Sequence, residues 1–418
     1  MYYFITLLFV LLSAKASMFD LSNICWFLID VVILWVGFEK DRFRKSDLEM
    51  FVKFALVYIA FCTVRSFFLV QLPLNFWLND VVFLFKYVFT SFIFCAVLKD
   101  KAVYYLTKVM FQLAIISLPF YCLQLFAGDY LYAFIKALNL PHTHFDGYAN
   151  MFVFTYIKQH ATRNAGYSWE PGAFGFFLNL TLLLHLVTNN FTFDKRAKWA
   201  MVAIFTTLST TTYVAFAFII LLYLRGRGVK FIRLLFFVGP FLCIAAFMLP
   251  FLLDKIVNTY NQDMNDMKRI QELSDWYSQR GEEMPLNRFA SLLFIENLFG
   301  IDLIWGISNS YSDTIAILKN INISNGIFSF LAQFGLLGLG LLMYRSYLFF
   351  YKYARSVELT IYCLLVILVQ GFGECIFVTS IIFCFLFLYA YAQPTPDAVE
   401  LTADNRYNSM NAGSLVIN

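Results

Sequence analysis

RNAGYSWEPGAFGFF, residues 163–177, joins a polar segment of the chain to an apolar one. Pro171 is suited to a first helical position, because the N–H that proline lacks would have no partner there. We therefore expect a helix to begin at about Pro171 and to enter a membrane. The free N–H groups and the positive dipole end at its start would favour an anion. Arg163, eight residues upstream, would add a planar fork of hydrogen-bond donors.

Two interpretations of this stretch are open. In the first, the anion is a diphosphate held by Arg163 and by the start of the helix. In the second, Glu170 only caps the helix, and Arg163 lies among lipid headgroups with its stem along apolar surface. Both interpretations place the stretch at a membrane surface.

The composition of the chain is that of a membrane protein. Of 418 residues, 61% are hydrophobic and only 14% are charged, and the mean hydropathy is +0.69. These values exclude an ordinary soluble globule. The eight cysteines lie in apolar runs without metal-like spacing and are interpreted as small buried hydrophobes. Only four histidines and no Walker-type loop occur, so we predict no cofactor, no metal site and no nucleic-acid partner.

The basic residues set the predicted orientation, because cytoplasmic loops carry the positive excess. Residues 2–14 lack a preceding basic residue, so we expect a first membrane helix instead of a cleaved signal, although a sequence like a signal-peptidase site follows them. Basic clusters then alternate with apolar runs along the chain. The predicted spans are about 2–14, 20–38, 50–70, 80–98, 102–126, 173–188, 199–224 as two short helices, 231–253, 326–344, and 358–392 as two short helices.

Two of these apolar runs are expected to be hairpins. Residues 199–224 lie between two basic clusters, which requires an even number of crossings, yet one full span takes about 20 residues. Two short helices should therefore turn at residues 209–212, and such helices survive only where protein or a water-filled cavity covers them. The alternative is one long tilted helix. Residues 358–392 fit the same pattern, with residues 371–374 at the outer turn.

The sequence thus predicts an all-α polytopic membrane protein of about twelve transmembrane helices, some of them short or broken and lining the site, with both termini cytoplasmic. Two large segments lie on the outer face. The predicted divisions are N-terminal helices at 1–126, a first outer loop at 127–172, central helices at 173–253, a second outer loop at 254–324, C-terminal helices at 325–392 and a disordered tail at 393–418. The second loop carries ten acidic residues against six basic ones.

Three regions of the chain resemble the bacterial O-antigen polymerase and ligase superfamily. The first runs from Arg163 through Glu170-Pro-Gly into an apolar helix. The second is the turn TLSTTTY, residues 207–213, where the family often has a Ser-Arg pair and this chain has no Arg after Ser209. The third begins at Arg288, passes Gly300 and reaches SNGIFSFLAQFGLLGLG, residues 324–340. These regions extend from about 150 to 345.

One departure from the family pattern distinguishes the two activities. Ligases of the superfamily carry a His just before the helix of the third region, where this chain has Ile323-Ser324-Asn325. No His follows His185. The resemblance therefore favours a Wzy-type polymerase over a ligase that transfers polymer to lipid A core.

The resemblance implies a membrane glycosyltransferase. Its substrate would be an oligosaccharide repeat unit on undecaprenyl diphosphate, and the reaction would take place on the periplasmic face of a Gram-negative inner membrane. The diphosphate lipid is the leaving group, so no nucleotide sugar is needed. The resemblance leaves open whether a chain-length regulator binds and whether the product is O-antigen, capsule or exopolysaccharide. A flippase is a third alternative, which the long outer loops and the lack of related halves disfavour.

Catalysis of this reaction must stabilise the leaving diphosphate and accept a proton from the acceptor hydroxyl. Arg163 and Arg288 are the candidates for the diphosphate, because a guanidinium binds phosphate bidentately; each has the alternative of an anchor to loop carboxylates. Glu170 is the candidate general base, with capping or orientation of Arg163 as its alternative. Partial burial and the nearby Arg would shift its pKa in opposite directions.

Further candidates for substrate binding each have a structural alternative. Tyr167 and Trp169 would stack on sugars, or belong to the aromatic belt of the membrane interface. Asn325 would bind sugar, or cap the helix that follows it. Arg65 and Lys86 lie inside apolar spans near their outer ends, where they would contact the lipid diphosphate or reach outer headgroups.

Overall fold

The computed structural model describes residues 1–17, 23–140, 147–230, 267–279, 284–286 and 288–393. The predicted span at 231–253 and nearly all of the predicted disordered tail lie outside these residues. The described chain is helical, apart from four short strands in its polar segments.

The first part of the chain forms six helices. They are α1 Tyr2–Ser13, α2 Asn23–Glu39, α3 Lys45–Val64, α4 Leu74–Phe83, α5 Thr90–Leu98 and α6 Ala102–Ala137. Single π-helical turns extend α3 and join α4 to α5. Helix α1 packs against α2, α5 and α6, and its Ile5 and Phe9 side chains are completely buried.

Helix α6 is longer than the sequence predicts. The first outer loop was expected from residue 127, but the helix runs to Ala137 and has non-helical backbone at Ala127. The added turns are held by packing: Leu131 and Ile135 recur at helical spacing and are buried with residues of the first outer segment. That segment contains an antiparallel hairpin of β1 Tyr148–Asn150 and β2 Thr155–Ile157.

Three helices follow the first outer segment: α7 Pro171–Thr188, α8 Lys195–Thr206 and α9 Thr210–Gly226. Helix α7 begins at Pro171, as predicted. Two helices, α8 and α9, occupy the stretch where a hairpin was predicted, but they are joined at residues 207–209 and not at 209–212, because α9 already begins at Thr210. Helix α7 packs against α6, α8, α9 and both long C-terminal helices, so nearly its whole length is buried.

The second outer segment contains α10 Met267–Ser278, β3 Met284–Leu286, α11 Arg288–Phe299 and β4 Ile321–Ile323. Strands β3 and β4 pair in parallel. The C-terminal part consists of α12 Gly326–Ala354, α13 Val357–Gly373, α14 Ser380–Phe383 and α15 Phe385–Tyr391. The last apolar stretch therefore forms a hairpin with its turn after Gly373, as predicted.

Helix α12 is broken where the second outer segment meets it. Gly335 has a φ of 70° inside the helix, and the Ile307 N–H donates to the Ala332 carbonyl at 2.7 Å. A side chain on Gly335 would collide with backbone atoms of residues 304–306. The broken backbone is thus covered by protein, which is the condition for such a break at membrane depth.

Four helical stretches of the described residues are long and apolar enough to cross a membrane: Lys45–Leu69, Leu74–Ala137, Pro171–Thr188 and Gly326–Ala354. Shorter apolar helices lie at Tyr2–Ser13, Thr210–Gly226, Val357–Gly373 and Ser380–Tyr391. The chain is therefore a helical protein with the character of a membrane protein.

A buried ion pair connects the second outer segment to the N-terminal helices. The Arg65 guanidinium donates to the Asp80 carboxylate, and both side chains are completely buried. Asp80 also accepts hydrogen bonds from the Ser308 hydroxyl at 3.1 Å and the Asn309 N–H at 2.8 Å. Arg65 in turn donates to the Gln333 carbonyl at 2.8 Å. If one group of this network is removed, the group that it bonds stays buried as an unpaired charge or an unpaired polar group.

We predict that Asp80→Asn lowers the free energy of unfolding by about 3–5 kcal/mol, because Arg65 then remains buried without a counter-charge. The change would be measured by unfolding the purified protein, held in detergent micelles, with added dodecyl sulfate. Asp313→Asn is the matched control, since Asp313 is largely exposed, and its effect should stay within about 0.5 kcal/mol. Equal effects of the two substitutions would contradict a structural role for the buried pair.

Candidate functional site

The stretch that opens α7 is fixed in place by its neighbours. The Asn164 N–H donates to the Thr206 carbonyl at 3.0 Å, and its side-chain amide donates to the Ser117 and Thr206 hydroxyls. Gly166 has a φ of +50°, and the Phe174 ring fills the place of a side chain there. The segment between Arg163 and the helix is therefore held between α6 and the α8–α9 turn.

Arg163 lies at this turn. Its Nε donates to the Thr207 carbonyl at 3.2 Å, and its own carbonyl accepts from the Gln124 side chain at 2.9 Å. The turn of the short-helix hairpin is thus next to Arg163. The same turn reaches α13, because Thr211 packs directly on Gly373. These contacts bring the α8–α9 hairpin next to both Arg163 and α13.

Glu170 is the N-cap residue of α7, but its side chain makes no capping hydrogen bond. The Trp169 indole N–H donates to its carboxylate at 3.0 Å instead. The capping alternative therefore does not account for the Glu170 carboxylate, which is half-buried at the start of the helix. Trp169 is half-buried beside it and packs against the main core.

A second carboxyl group meets Glu170. Glu374 follows the last residue of α13, its side chain is 6% exposed, and its carboxyl lies within hydrogen-bonding reach of the Glu170 carboxyl. A Cβ added to Gly172 would lie 1.7 Å from Glu374 Oε1. Glycine at this position therefore allows Glu374 to lie against the first turn of α7.

Both predicted arginines act on Glu374. The Arg288 guanidinium donates to Glu374 Oε1 at 3.4 Å, and Arg163 also interacts with Glu374 electrostatically. Burial and the Glu170 carboxyl raise the pKa of Glu374 well above its ordinary value, and the two arginines oppose that shift. Arg288 is partly exposed, at 37%, so its guanidinium remains accessible. The alternative of an Arg anchored to a carboxylate thus holds in part for Arg288.

Asn325 links the start of α12 to the backbone of Arg288. Its side-chain oxygen accepts from the Ile327 and Phe328 N–H groups at 3.1 and 3.3 Å, so it caps α12. Its amide donates to the Arg288 carbonyl at 3.0 Å. The prediction of a helix cap is confirmed, and the same completely buried side chain also fixes the backbone of Arg288. These bonds use both ends of the Asn325 amide and support positioning of Arg288 instead of sugar binding.

The remaining predicted site residues lie at different distances from this cluster. Tyr167 is 1% exposed and packs edge-on against Phe174 and beside Phe177, so its ring belongs to the core and has no face open to a sugar. Arg65 is enclosed in its pair with Asp80 and does not reach outer headgroups. Lys86 lies over the Trp26 and Tyr87 rings, each at 5.3 Å.

Two further residues border the cluster. Lys15 lies over Tyr87 at 5.3 Å and interacts electrostatically with Cys375, the residue after Glu374. His160 interacts with both Arg163 and Glu170; partial burial, followed by the positive charge of Arg163, lowers its pKa. The imidazole is therefore neutral at pH 7, and the fixed positive charges of the site are those of Arg and Lys.

Glu374 is the residue that the site predictions omit. It is the only Asp, Glu, Lys or Arg between residues 359 and 392, and an ionisable residue in such an apolar stretch is a functional candidate by default. In the sequence it lies at the expected outer turn of the last hairpin, where no role is predicted for it. That isolated charge was the signal for it.

The arrangement offers two chemical capacities. Arg163, Arg288 and the start of α7 present positive charge and donors to an anion. Glu170 and Glu374 form a carboxyl pair able to hold or accept a proton. Among the described residues, no group of three or more His, Cys, Asp or Glu side chains has the geometry for a metal ion.

Comparisons with protein-family models, with curated proteins and with solved structures each found no match to this chain.

We predict that Gly172→Ala destabilises the protein by about 1–3 kcal/mol, because its new methyl group and the Glu374 carboxyl would occupy the same space. Removing that carboxyl in the double variant Gly172→Ala/Glu374→Ala should recover part of the loss. Thermal unfolding in detergent would measure both. Gly340→Ala is the control in α12, where a new methyl group meets nothing within 4 Å. A loss in the Gly172 variant no larger than in this control would refute the close approach.

Proposed function

We propose that this protein is a membrane glycosyltransferase that polymerises oligosaccharide repeat units carried on undecaprenyl diphosphate. The observation that supports this most is the contact of Arg288 with Glu374 beside the start of α7, where Arg163 acts on the same carboxyl electrostatically. The two arginines belong to separate outer segments, and both were candidates for the leaving diphosphate. Two guanidiniums and a helix N-terminus suit a diphosphate, while the carboxyl pair suits the proton of an attacking hydroxyl.

The proposed reaction needs few groups from the protein. An acceptor sugar hydroxyl attacks the anomeric carbon of the donor glycan, and the bond from that carbon to the diphosphate oxygen breaks. The electron pair leaves with the polyprenyl diphosphate, whose growing charge Arg163 and Arg288 stabilise. Glu170 accepts the proton of the attacking hydroxyl. No metal ion or nucleotide takes part in this proposal.

An apolar groove supports the proposal of a lipid-linked substrate. A cavity of about 730 Å³ lies between α3, α12 and the last hairpin, and its lining includes Phe330, Phe334 and Phe383. Phe330 is one helical turn below Gly326, which packs against the Glu374 carbonyl. An isoprenoid chain in this groove would extend from a diphosphate at the cluster into the membrane.

In the proposed topology the chain crosses the membrane twelve times, both termini are cytoplasmic and the cluster faces the periplasm of a Gram-negative bacterium. The apolar helices and the distribution of basic residues support this orientation. The short helices α8, α9, α13 and the α14–α15 pair would then form the inner hairpins of the bundle.

We predict that Arg163→Ala and Arg288→Ala each lower polymer formation about 100-fold or more, because each removes a charge that stabilises the leaving group. The measurement is a gel of surface and lipid-linked glycans from a strain lacking the gene, rescued with each variant. The deletion strain should carry lipid A core with at most one repeat, and only the wild type should restore a full ladder. Arg227→Ala, an exposed arginine at the far end of α9, is the control and should restore it.

Two other results have definite meanings. Full-length polymer stranded on the lipid carrier would indicate a ligase, which transfers finished polymer to lipid A core. An unchanged ladder in the deletion strain would refute a role in the assembly of this glycan.

For the topology, we predict that Gln159→Cys reacts with a membrane-impermeant maleimide in intact spheroplasts, because the first outer segment faces the periplasm. Arg227→Cys should react only after lysis. Both variants are made in a Cys122→Ser background, since Cys122 is exposed. The reverse pattern of labelling would invert the proposed orientation.

A further inference from the structure

The contact between Glu170 and Glu374 restricts how many protons this pair holds. Their carboxyl groups lie within hydrogen-bonding reach of each other. Two carboxylates in such contact repel each other strongly at low dielectric, so ionisation of both is unfavourable. One proton therefore remains between them.

The surroundings indicate which carboxyl keeps the proton. Loss of hydration disfavours the charged form of a carboxyl group, and it affects the more enclosed group more strongly. Glu374 is 6% exposed, whereas Glu170 is half-buried and receives the Trp169 indole N–H. The partly exposed, hydrogen-bonded Glu170 is the better place for the negative charge.

The charged and titratable groups around the pair come from several elements. Arg288 and Arg163 face Glu374, and His160 faces Glu170. Cys375 follows Glu374 in the chain and interacts electrostatically with both carboxyls and with Lys15. With one proton on the pair, the two guanidiniums and the single carboxylate have a net charge of +1. The cluster therefore still attracts an anion.

We propose that Glu374 holds the proton of this pair and donates it in a hydrogen bond to Glu170, which keeps Glu170 ionised and oriented to accept the proton of the acceptor hydroxyl. The inference rests on the proposed function for its catalytic part. Glu374 is then a positioning residue, and Glu170 is the group that meets the substrate. Gly172 is the element that allows the two carboxyls to meet, because any side chain there would displace Glu374.

The step balances without a further reactant. The O–H bond of the acceptor breaks, its proton passes to the Glu170 carboxylate, and its oxygen forms the new bond to the anomeric carbon of the donor. The bond from that carbon to oxygen breaks, and the diphosphate leaves with the electron pair beside Arg163 and Arg288. Glu170 later releases its proton to water, and Glu374 keeps its own proton throughout.

Three substitutions separate the roles of the two carboxyls. Glu374→Gln replaces a carboxylic acid by a neutral amide that still donates to Glu170, so polymer formation should stay within about tenfold of wild type. Glu374→Ala removes the donor and should lower polymer formation more strongly than Glu374→Gln does. Glu170→Gln removes the proton acceptor and should cost about 100-fold or more. The glycan ladder in the rescued deletion strain is the readout.

Infrared spectroscopy of the purified full-length protein in detergent tests the proton itself. In an Asp30→Asn background, which removes a second buried carboxyl in α2, the protein should show a carboxylic-acid C=O band at neutral pH that shifts in D₂O, and Glu374→Gln should remove it. Glu358→Gln is the matched control at the other end of α13, where Glu358 is ion-paired with Arg225. That variant should leave both the band and the ladder unchanged. Thermal unfolding of every variant confirms that it is folded.

The outcomes distinguish the inference from the function on which it rests. Persistence of the band in Glu374→Gln would overturn the assignment of the proton. A loss of polymer in Glu374→Gln as complete as in Glu170→Gln would overturn the positioning role, since Glu374 would then need its own charge. If the deletion strain keeps its ladder, the polymerase and the catalytic part of the inference both fail, while the infrared band still decides which carboxyl is protonated.

Discussion

The start of α7 depends on a close approach that only glycine permits. The helix is enclosed by five neighbouring helices, and side chains on Gly172 and Gly175 would fall 1.7 and 1.9 Å from the side-chain oxygens of Glu374 and Thr212. Polar groups of α13 and α9 therefore lie against the backbone of α7. Apolar side chains alone could bury the helix, but they would not bring a carboxyl group to its first turn. The candidate site exists because the backbone is bare at these positions.

The features that the sequence predicts well are those decided by a few adjacent residues. Pro171 marks the start of α7, Asn325 caps α12, and the Ser209 turn separates two helices that are too short to span alone. Each depends on local backbone chemistry, such as a missing N–H or a short side chain able to accept from the next turn. The all-helical class and the membrane character of the protein follow from its amino-acid composition, and composition does not depend on tertiary contacts.

The pairings between distant residues were beyond prediction from one sequence. Arg65 meets Asp80 across two helices, and Arg288 meets Glu374 across 86 positions. Hydrophobic periodicity says which residues are buried, but it carries no information about which charge lies opposite which. The extension of α6 past Ala127 has the same origin, because its last turns are stabilised by contacts with the β-hairpin of the first outer segment.

Residues 288–325 form a loop whose two ends lie together. Its first residue, Arg288, and its last, Asn325, are joined by a hydrogen bond, and strands β3 and β4 pair just before those two residues. A segment whose ends are fixed together tolerates changes in its length at a small entropic cost, which grows only with the logarithm of loop size. Insertions and deletions between these residues would therefore leave Arg288 in register. Evolution could alter the outer surface while the chemistry beneath it stayed the same.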